Sequence, residues 1–482
     1  MRVLEQWEPS RVLYYFEEIC SIPHGSGNTD KISEYLADFA KEHNLEYGKD
    51  LMNNVLIRKP ATPGYENAPG VLLQGHMDMV CEKRQDVVFD FEKDGLNLGV
   101  KDGFLHANGT TLGGDDGIAI AYALALLESD AYEHPALEVL ITVDEEIGLL
   151  GAAGFDCSAI KSRMLINLDS EEEGILWAGC AGGMTFASHI PVQYTEKTGR
   201  RLEIHLGGLQ GGHSGAEIDK GRASAAILMG RFLYELKERV DFALSGYSSG
   251  EKDNAIPRIA DASIVVEEDQ AALVKEYAEL FVEHITREYA GIEQGVTISV
   301  QEGENEETQV LHPGSLARVI FFLRNVPYGV QKMSGTIPGL VETSMNPGIL
   351  RLTEEELVVT SSIRSSVGSA KEELAGKVQF LTEFLGGDYE ISGSYPAWEY
   401  NEVSPLRDVM VDVYKKLYHE EPKVAVIHAG LECGLFYENL PGLDAVSIGP
   451  NMKDIHTSEE QLDLASTKRV WEYLLCVLKE IK

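Results

Sequence analysis

The sequence predicts an α/β protein built on a mixed, largely parallel sheet, with a second sheet-plus-helices module in the middle of the chain. Two observations carry this. Short apolar runs alternate with helical-period stretches over residues 1–185 and again over 399–482, the pattern of a layered α/β domain. Residues 186–398 differ, with longer strand-like runs and strong helices of their own. A chain of 482 residues, 44% hydrophobic and 25% charged, has ample apolar content for more than one core.

In order, VLLQG (71–75) reads as a strand, GIAIAYALALLES (117–129) as a helix, and ALEVLITV (136–143) and MLINLD (164–169) as strands. The middle opens with RLEIHLGGL (201–209) as a strand and RASAAILMGRFLYELKERV (222–240) as a helix. ASIVVEE (262–268) follows as a strand, then a helical stretch over 270–287, strands through 350–366 and a helix over 368–385. The end of the chain returns to the opening alternation, with a helix over 404–419, strands KVAVIH (423–428) and AVSIG (445–449), then a long helix over 461–481.

Charge narrows the function classes. Against 41 basic residues stand 78 acidic ones, a net charge of −37. Such a surface repels nucleic acid and anionic membranes, and some of the excess carboxylates are free to serve as cation ligands. Cysteines at 20, 81, 157, 180, 433 and 476 form no CxxC pair, which predicts reduced thiols. The amphipathic N-terminus has no signal-peptide core, and no apolar run approaches the ~20 residues of a membrane span, so the expected location is the cytoplasm.

The chemistry concentrates at strand ends. LLQGHMDMV ends an apolar run in His76 and Asp78, TLGGDDG places Asp115 and Asp116 before a helix, ITVDEEIG supplies Asp144, Glu145 and Glu146, and LINLDSEEEG supplies Asp169. Ligands bind at the carboxyl edge of open α/β sheets. Four segments bringing acids to one edge repel one another unless a cation intervenes, and two divalent ions sharing a bridging carboxylate resolve that repulsion. His76 then reads as a ligand, and Asp78 as the carboxylate that orients a histidine. Adjacent side chains diverge, so Glu146 is read as a ligand and Glu145 as the free general base.

GHMDMV, TLGGDDG, VDEEIG and NLDSEE, together with GGHSG, NAIP and a late IHTSEE, resemble the two-zinc dipeptidases and aminoacylases of the metallo-exopeptidase clan. The wording is most similar to the branch that cleaves aminoacyl-histidine dipeptides. The resemblance implies a zinc-exopeptidase-like sheet with helices on both faces and an α+β lid inserted at 186–398. It implies that His76 and Asp169 hold one zinc, Glu146 and His456 the other, and Asp115 bridges them, with cobalt or manganese as alternative ions. Asp78 and Glu145 become the catalytic pair, and Asp116 stays a neighbour. In the lid, His213 would donate to the oxyanion and Asn254 and Arg364 would grip the substrate carboxylate, while Gly430 of HAGLECG would line the pocket by its backbone. The implied activity is hydrolysis of unblocked dipeptides, Xaa-His (carnosine-like) first, by a homodimer joined through the lid. N-acyl amino acid deacylation and tripeptide cleavage use the same metal set, and a metal-binding interaction protein without catalysis is the reading from another class.

Other motifs fall away. GYSSG (246–250) matches a serine-hydrolase pattern but is expected to follow a helix rather than a strand, with polar EKDN after it. HExxH and the phosphate loop are absent. The acidic runs EEE (171–173) and GENEE (303–307) read as solvated loops without calcium-loop spacing.

Overall fold

A computed structural model describes residues 2–482. The chain divides into two compact units, one of Met1–Cys180, Tyr400–Val426 and Leu431–Lys482, the other of Ala181–Glu399 and Ile427–Gly430. The borders expected from sequence, 185/186 and 398/399, leave 427–430 with the first unit. Those four residues join the second because the Ala181 N–H donates to the Ile427 carbonyl at 3.0 Å, which draws the chain back.

The first unit is built on an eight-stranded sheet. Its spatial order is Glu46–Lys49, Val55–Lys59, Leu137–Thr142, Val71–His76, Met164–Asn167, Asp444–Ser447, Ile175–Cys180 and Lys423–Ile427. Leu137–Thr142, Val71–His76, Met164–Asn167 and Asp444–Ser447 run parallel, and their outer neighbours Val55–Lys59 and Ile175–Cys180 pair antiparallel. Val71–His76 and Leu137–Thr142 are buried at all six positions, so both faces are covered, which is why they read as largely apolar runs without alternation. Helix Gly114–Glu128 is apolar all round and almost wholly buried. Helix Leu464–Glu480 has a one-sided apolar stripe, with Trp471 stacked on Tyr122 at 5.8 Å. A small sheet, Met452–Lys453, Gln461–Asp463, Phe104–Ala107 and Leu98–Lys101, completes the unit.

The second unit carries a long sheet in the order Thr297–Leu311, Tyr194–Gly207, Ala260–Val266, Phe242–Ser249, Val341–Leu352, Glu356–Ser365, Gly182–Pro191 and Asp388–Tyr395, with Gly329–Met333 added beside Val341–Leu352. Its neighbouring strands pair antiparallel. Helices Ala225–Lys237, Ala271–Glu288, Pro313–Asn325 and Gly368–Phe384 accompany it, and Phe232, Phe281 and Phe322 are fully buried in its core.

Three local readings change. The first four residues of GYSSG end strand Phe242–Ser249 rather than standing behind a helix, but no helix follows, so a nucleophile elbow fails on its second half. GENEE lies within strand Thr297–Leu311, at the end of its sheet, where a charged face discourages pairing with another chain. In EEE, Glu173 is not free in solvent: Arg469 grips it with two bonds of 2.6 Å. Among the described residues no helix is long and apolar enough to cross a membrane, and no two cysteines form a disulfide.

Candidate metal centre and active site

Val71–His76 and Met164–Asn167 are neighbouring parallel strands with Gln74 level with Asn167, so His76 and Asp169 leave the sheet at the same edge. Asp115 arrives at the start of helix Gly114–Glu128, where it and Asp116 have non-helical dihedral angles. The peptide between them is cis. Glu145 and Glu146 lie in the turn after strand Leu137–Thr142, short of the helix that begins at Leu150, so an acidic helix start does not account for them. His456 sits in the loop between Met452–Lys453 and Gln461–Asp463, with φ of +61° and a side chain 46% exposed.

These segments converge. His76 Nε2 lies 3.1 Å from Asp115 Oδ1 and 3.7 Å from Asp169 Oδ1, while His456 Nε2 lies 3.0 Å from both Asp115 Oδ2 and Glu146 Oε1. Asp115 therefore offers one oxygen to each histidine. Ligating atoms of Asp115, Glu146 and His456 fall within 4.8 Å of one another, as do those of His76, Asp116 and Asp169 and of His76, Glu145 and Glu146.

Asp116 is the ambiguous member. Its Oδ2 accepts from the backbone N–H of His76 at 3.2 Å, and a Cβ on Gly75 would come within 2.3 Å of that oxygen. The glycine makes room for the carboxylate against the strand. Asp115 faces both histidine rings, whereas Asp116 is tied to the backbone of the strand.

Asp78 differs from the expectation in detail. His76 Nδ1 meets the Asp78 backbone carbonyl at 2.9 Å, whereas the Asp78 carboxylate is 3.5 Å away. The carboxylate instead accepts from the backbone N–H groups of Glu145 at 3.0 Å and Glu146 at 3.4 Å, and from Ser26 Oγ at 2.8 Å. Asp78 thus holds the turn that presents both glutamates.

The electrostatics show how costly the cluster is. Burial, then the neighbouring Asp116, pushes the Asp169 carboxyl well above the usual range, and burial does the same to Asp116. Burial, followed by the carboxylates of Glu432, Glu146 and Asp115, pushes Glu145 up to about 8, although His76 pulls the other way. Hydrogen bonds to Asp115 and Glu146 raise His456 to about 10. For Asp115, burial opposes the charge but the two histidines outweigh it and hold it well below the usual range.

Two buried carboxylates that bond to the strands and turn carrying these residues have no counterpart among the residues expected from sequence. Glu432 is fully buried, with Oε2 accepting from Gln74 Nε2 at 2.5 Å and Thr142 Oγ1 at 2.7 Å. Gln74 in turn accepts from Asn167 at 2.7 Å, so a polar row crosses three adjacent strands beside His76, from Thr142 through Gln74 to Asn167. Glu460 is also buried and bonds to the turn before Asp115. A polar residue inside an apolar strand, such as Gln74 or Asn167, was the available signal for the first; nothing in the wording of IHTSEE singles out the second.

The second unit gathers its own polar group. Arg364 Nη1 donates to Tyr395 Oη at 3.0 Å, and a Cβ on Gly430 would lie 2.7 Å from the Tyr395 ring. Partial desolvation and then the Arg364 charge hold the exposed His213 below its ordinary value. Asn254 is exposed, and its carbonyl accepts from Ser214 N at 2.8 Å, beside His213.

The sequence profile of peptidase family M20/M25/M40 matches residues 72–480. A cytosol non-specific dipeptidase of Escherichia coli (strain K12) is 38% identical over all of this chain and 99% of its own. The crystal structure of an aminoacylhistidine dipeptidase from Vibrio alginolyticus superposes with a TM-score of 0.91 at 36% identity, covering 99% of this chain and 98% of that one. An aminopeptidase from Bacillus cereus shares the fold at 14% identity, with a TM-score of 0.57 over 98% and 99% of the two chains. With a match that spans nearly the whole chain and relatives aligned end to end, the chain belongs to the M20/M25/M40 peptidase family and is a metallopeptidase.

Proposed function

We propose that this chain is a cytosolic two-metal dipeptidase that hydrolyses unblocked dipeptides, with Xaa-His substrates preferred. The observation that carries the reading is Asp115, whose two carboxylate oxygens each face a different histidine at 3.0–3.1 Å. The residues fit a pair of divalent ions: the donor set is imidazole and carboxylate, and its ligating atoms gather within 4.8 Å of one another in the groups Asp115, Glu146, His456 and His76, Asp116, Asp169. His76 and Asp169 would hold one ion, Glu146 and His456 the other, and Asp115 both; zinc suits this set, as do cobalt and manganese. Two full-length relatives, a cytosol non-specific dipeptidase and an aminoacylhistidine dipeptidase, support the dipeptide substrate and the cytosolic location.

Bound ions would supply Lewis acidity to the attacking water and the scissile carbonyl. Glu145 takes the water's proton and later returns it to the departing amine. Asp78 fixes the peptide groups of Glu145 and Glu146, so base and ligand keep their separate directions. His213 would donate to the oxyanion, Asn254 and Arg364 would bind the substrate carboxylate, and Gly430 would offer its backbone.

Carnosine and an N-acetylated amino acid separate the dipeptidase from a deacylase. The purified protein is expected to cleave carnosine at a rate that disappears on chelation and returns with zinc. Cleavage of the N-acetylated compound alone would overturn the reading.

We also propose a homodimer formed through the second unit. Phe380 and Phe384 are 70% and 72% exposed on helix Gly368–Phe384, 6.3 Å apart, and Ile391 is 42% exposed on the terminal strand Asp388–Tyr395. Large exposed apolar groups beside an open strand edge favour burial against a second copy. Sedimentation velocity is expected to show a dimer that Phe380→Lys with Phe384→Lys dissociates. A dimer indifferent to both substitutions would place the interface elsewhere.

A further inference from the structure

Glu460 lies four residues beyond His456 and is 3% exposed. Its Oε2 accepts from the backbone N–H groups of Leu112 at 2.7 Å and Gly113 at 3.1 Å, and its Oε1 from that of Gly114 at 2.8 Å. Those amides form the turn immediately before Asp115 and open helix Gly114–Glu128, whose first N–H groups have no partners within the helix. The turn is shaped around the carboxylate: Gly113 has φ of +67°, and a Cβ on Gly114 would come within 3.2 Å of Glu460 Oε1. Behind Glu460 the chain is anchored, since Gln461–Asp463 pairs with both Phe104–Ala107 and Met452–Lys453.

Two segments remote in sequence are thus joined twice. At the front His456 Nε2 meets Asp115 Oδ2 at 3.0 Å, and at the back Glu460 binds the three amides that lead into Asp115. The two histidines depend on this clamp unequally. His76 and Asp169 are carried by strands paired with each other, whose ladder keeps their spacing. His456 sits on a loop with a half-exposed side chain, and nothing in a sheet ladder holds it directly. We propose that Glu460 is a positioning residue that keeps His456 in register with Asp115, and so sets the affinity for the ion at Glu146 and His456 more than for the ion at His76 and Asp169. This rests on the two-metal reading above.

Glu460→Gln tests it. The amide keeps the shape but turns one acceptor into an NH2 group, which must face at least one of the three N–H donors and leave it unpaired. Wild-type and variant full-length protein are stripped with a chelator, titrated with Zn2+ by calorimetry, and melted with and without Zn2+. Wild type is expected to bind two ions. In Glu460→Gln one ion is expected to bind about 10–100-fold more weakly and the other to change by less than about threefold, the range seen when partners behind metal ligands are removed. The rise in melting temperature on adding Zn2+ is expected to shrink in step.

Equal affinities in both proteins would overturn the proposal. So would a parallel loss at both sites, or a melting temperature lowered by the same amount with and without Zn2+, since any of these reduces Glu460 to a helix cap. If Glu460→Gln does not fold, Glu460→Asp, which keeps the charge but shortens the reach, is measured the same way and must show the same order of effects. A wild type that binds fewer than two ions sinks the two-metal reading instead.

Discussion

Glu145→Ala is expected to retain its metal ions while turnover falls by about 10²–10⁴-fold, the contribution typical of a general base. The separation of the two effects follows from the geometry. Asp78 binds the backbone amides of Glu145 and Glu146, not their side chains, so truncating Glu145 leaves the turn and the Glu146 carboxylate where they are. Asp115, Glu146 and His456 form a complete ligand group without Glu145. The measurement is metal content by elemental analysis beside kcat at saturating dipeptide. Unchanged turnover would remove Glu145 from the chemistry, and loss of metal would make it a ligand.

Asp115→Ala is expected to act on the metals themselves, lowering the content from two ions to at most one per chain. The carboxylate stands between His76 and His456 at 3.1 and 3.0 Å, and among the described residues no other side chain reaches both rings at these distances. Its loss leaves buried groups without their counter-charge, a change that in buried ion pairs costs about 3–5 kcal/mol, or roughly 10²–10⁴-fold in affinity. Activity should fall at least as far, because both ions are weakened together. A variant that still binds two ions with wild-type affinity would show that Asp115 does not bridge, and Asp116 would become the residue to replace next.

Much of the first unit is legible in the sequence because its central strands are covered on both faces. Apolar runs that end in His76, in the 144–146 acids and in Asp169 announce a strand and a site together. His456 is legible only by resemblance, since a loop residue at positive φ lies on no periodic face. Strand Thr297–Leu311 escapes because it is largely exposed and acidic, so no apolar alternation marks it. Helix Pro313–Asn325 does carry a signal, with His312 capping Gly314 N and a proline in its first turn, but that signal is short and lies between longer elements. Glu432 and Glu460 are illegible for a different reason: a carboxylate whose partners are backbone amides or polar side chains far off in sequence leaves no local pattern.

Strand Asp444–Ser447 occupies a place in the first sheet between Met164–Asn167 and Ile175–Cys180, two strands that are close in sequence. On the ribosome, where synthesis runs from the N-terminus and domains fold largely as they emerge, that slot stays open until the whole second unit has been translated. In the nascent N-terminal half Ile175–Cys180 is therefore parted from the other strands by an unfilled slot, and truncation before residue 444 is expected to leave that strand without its neighbour in the sheet.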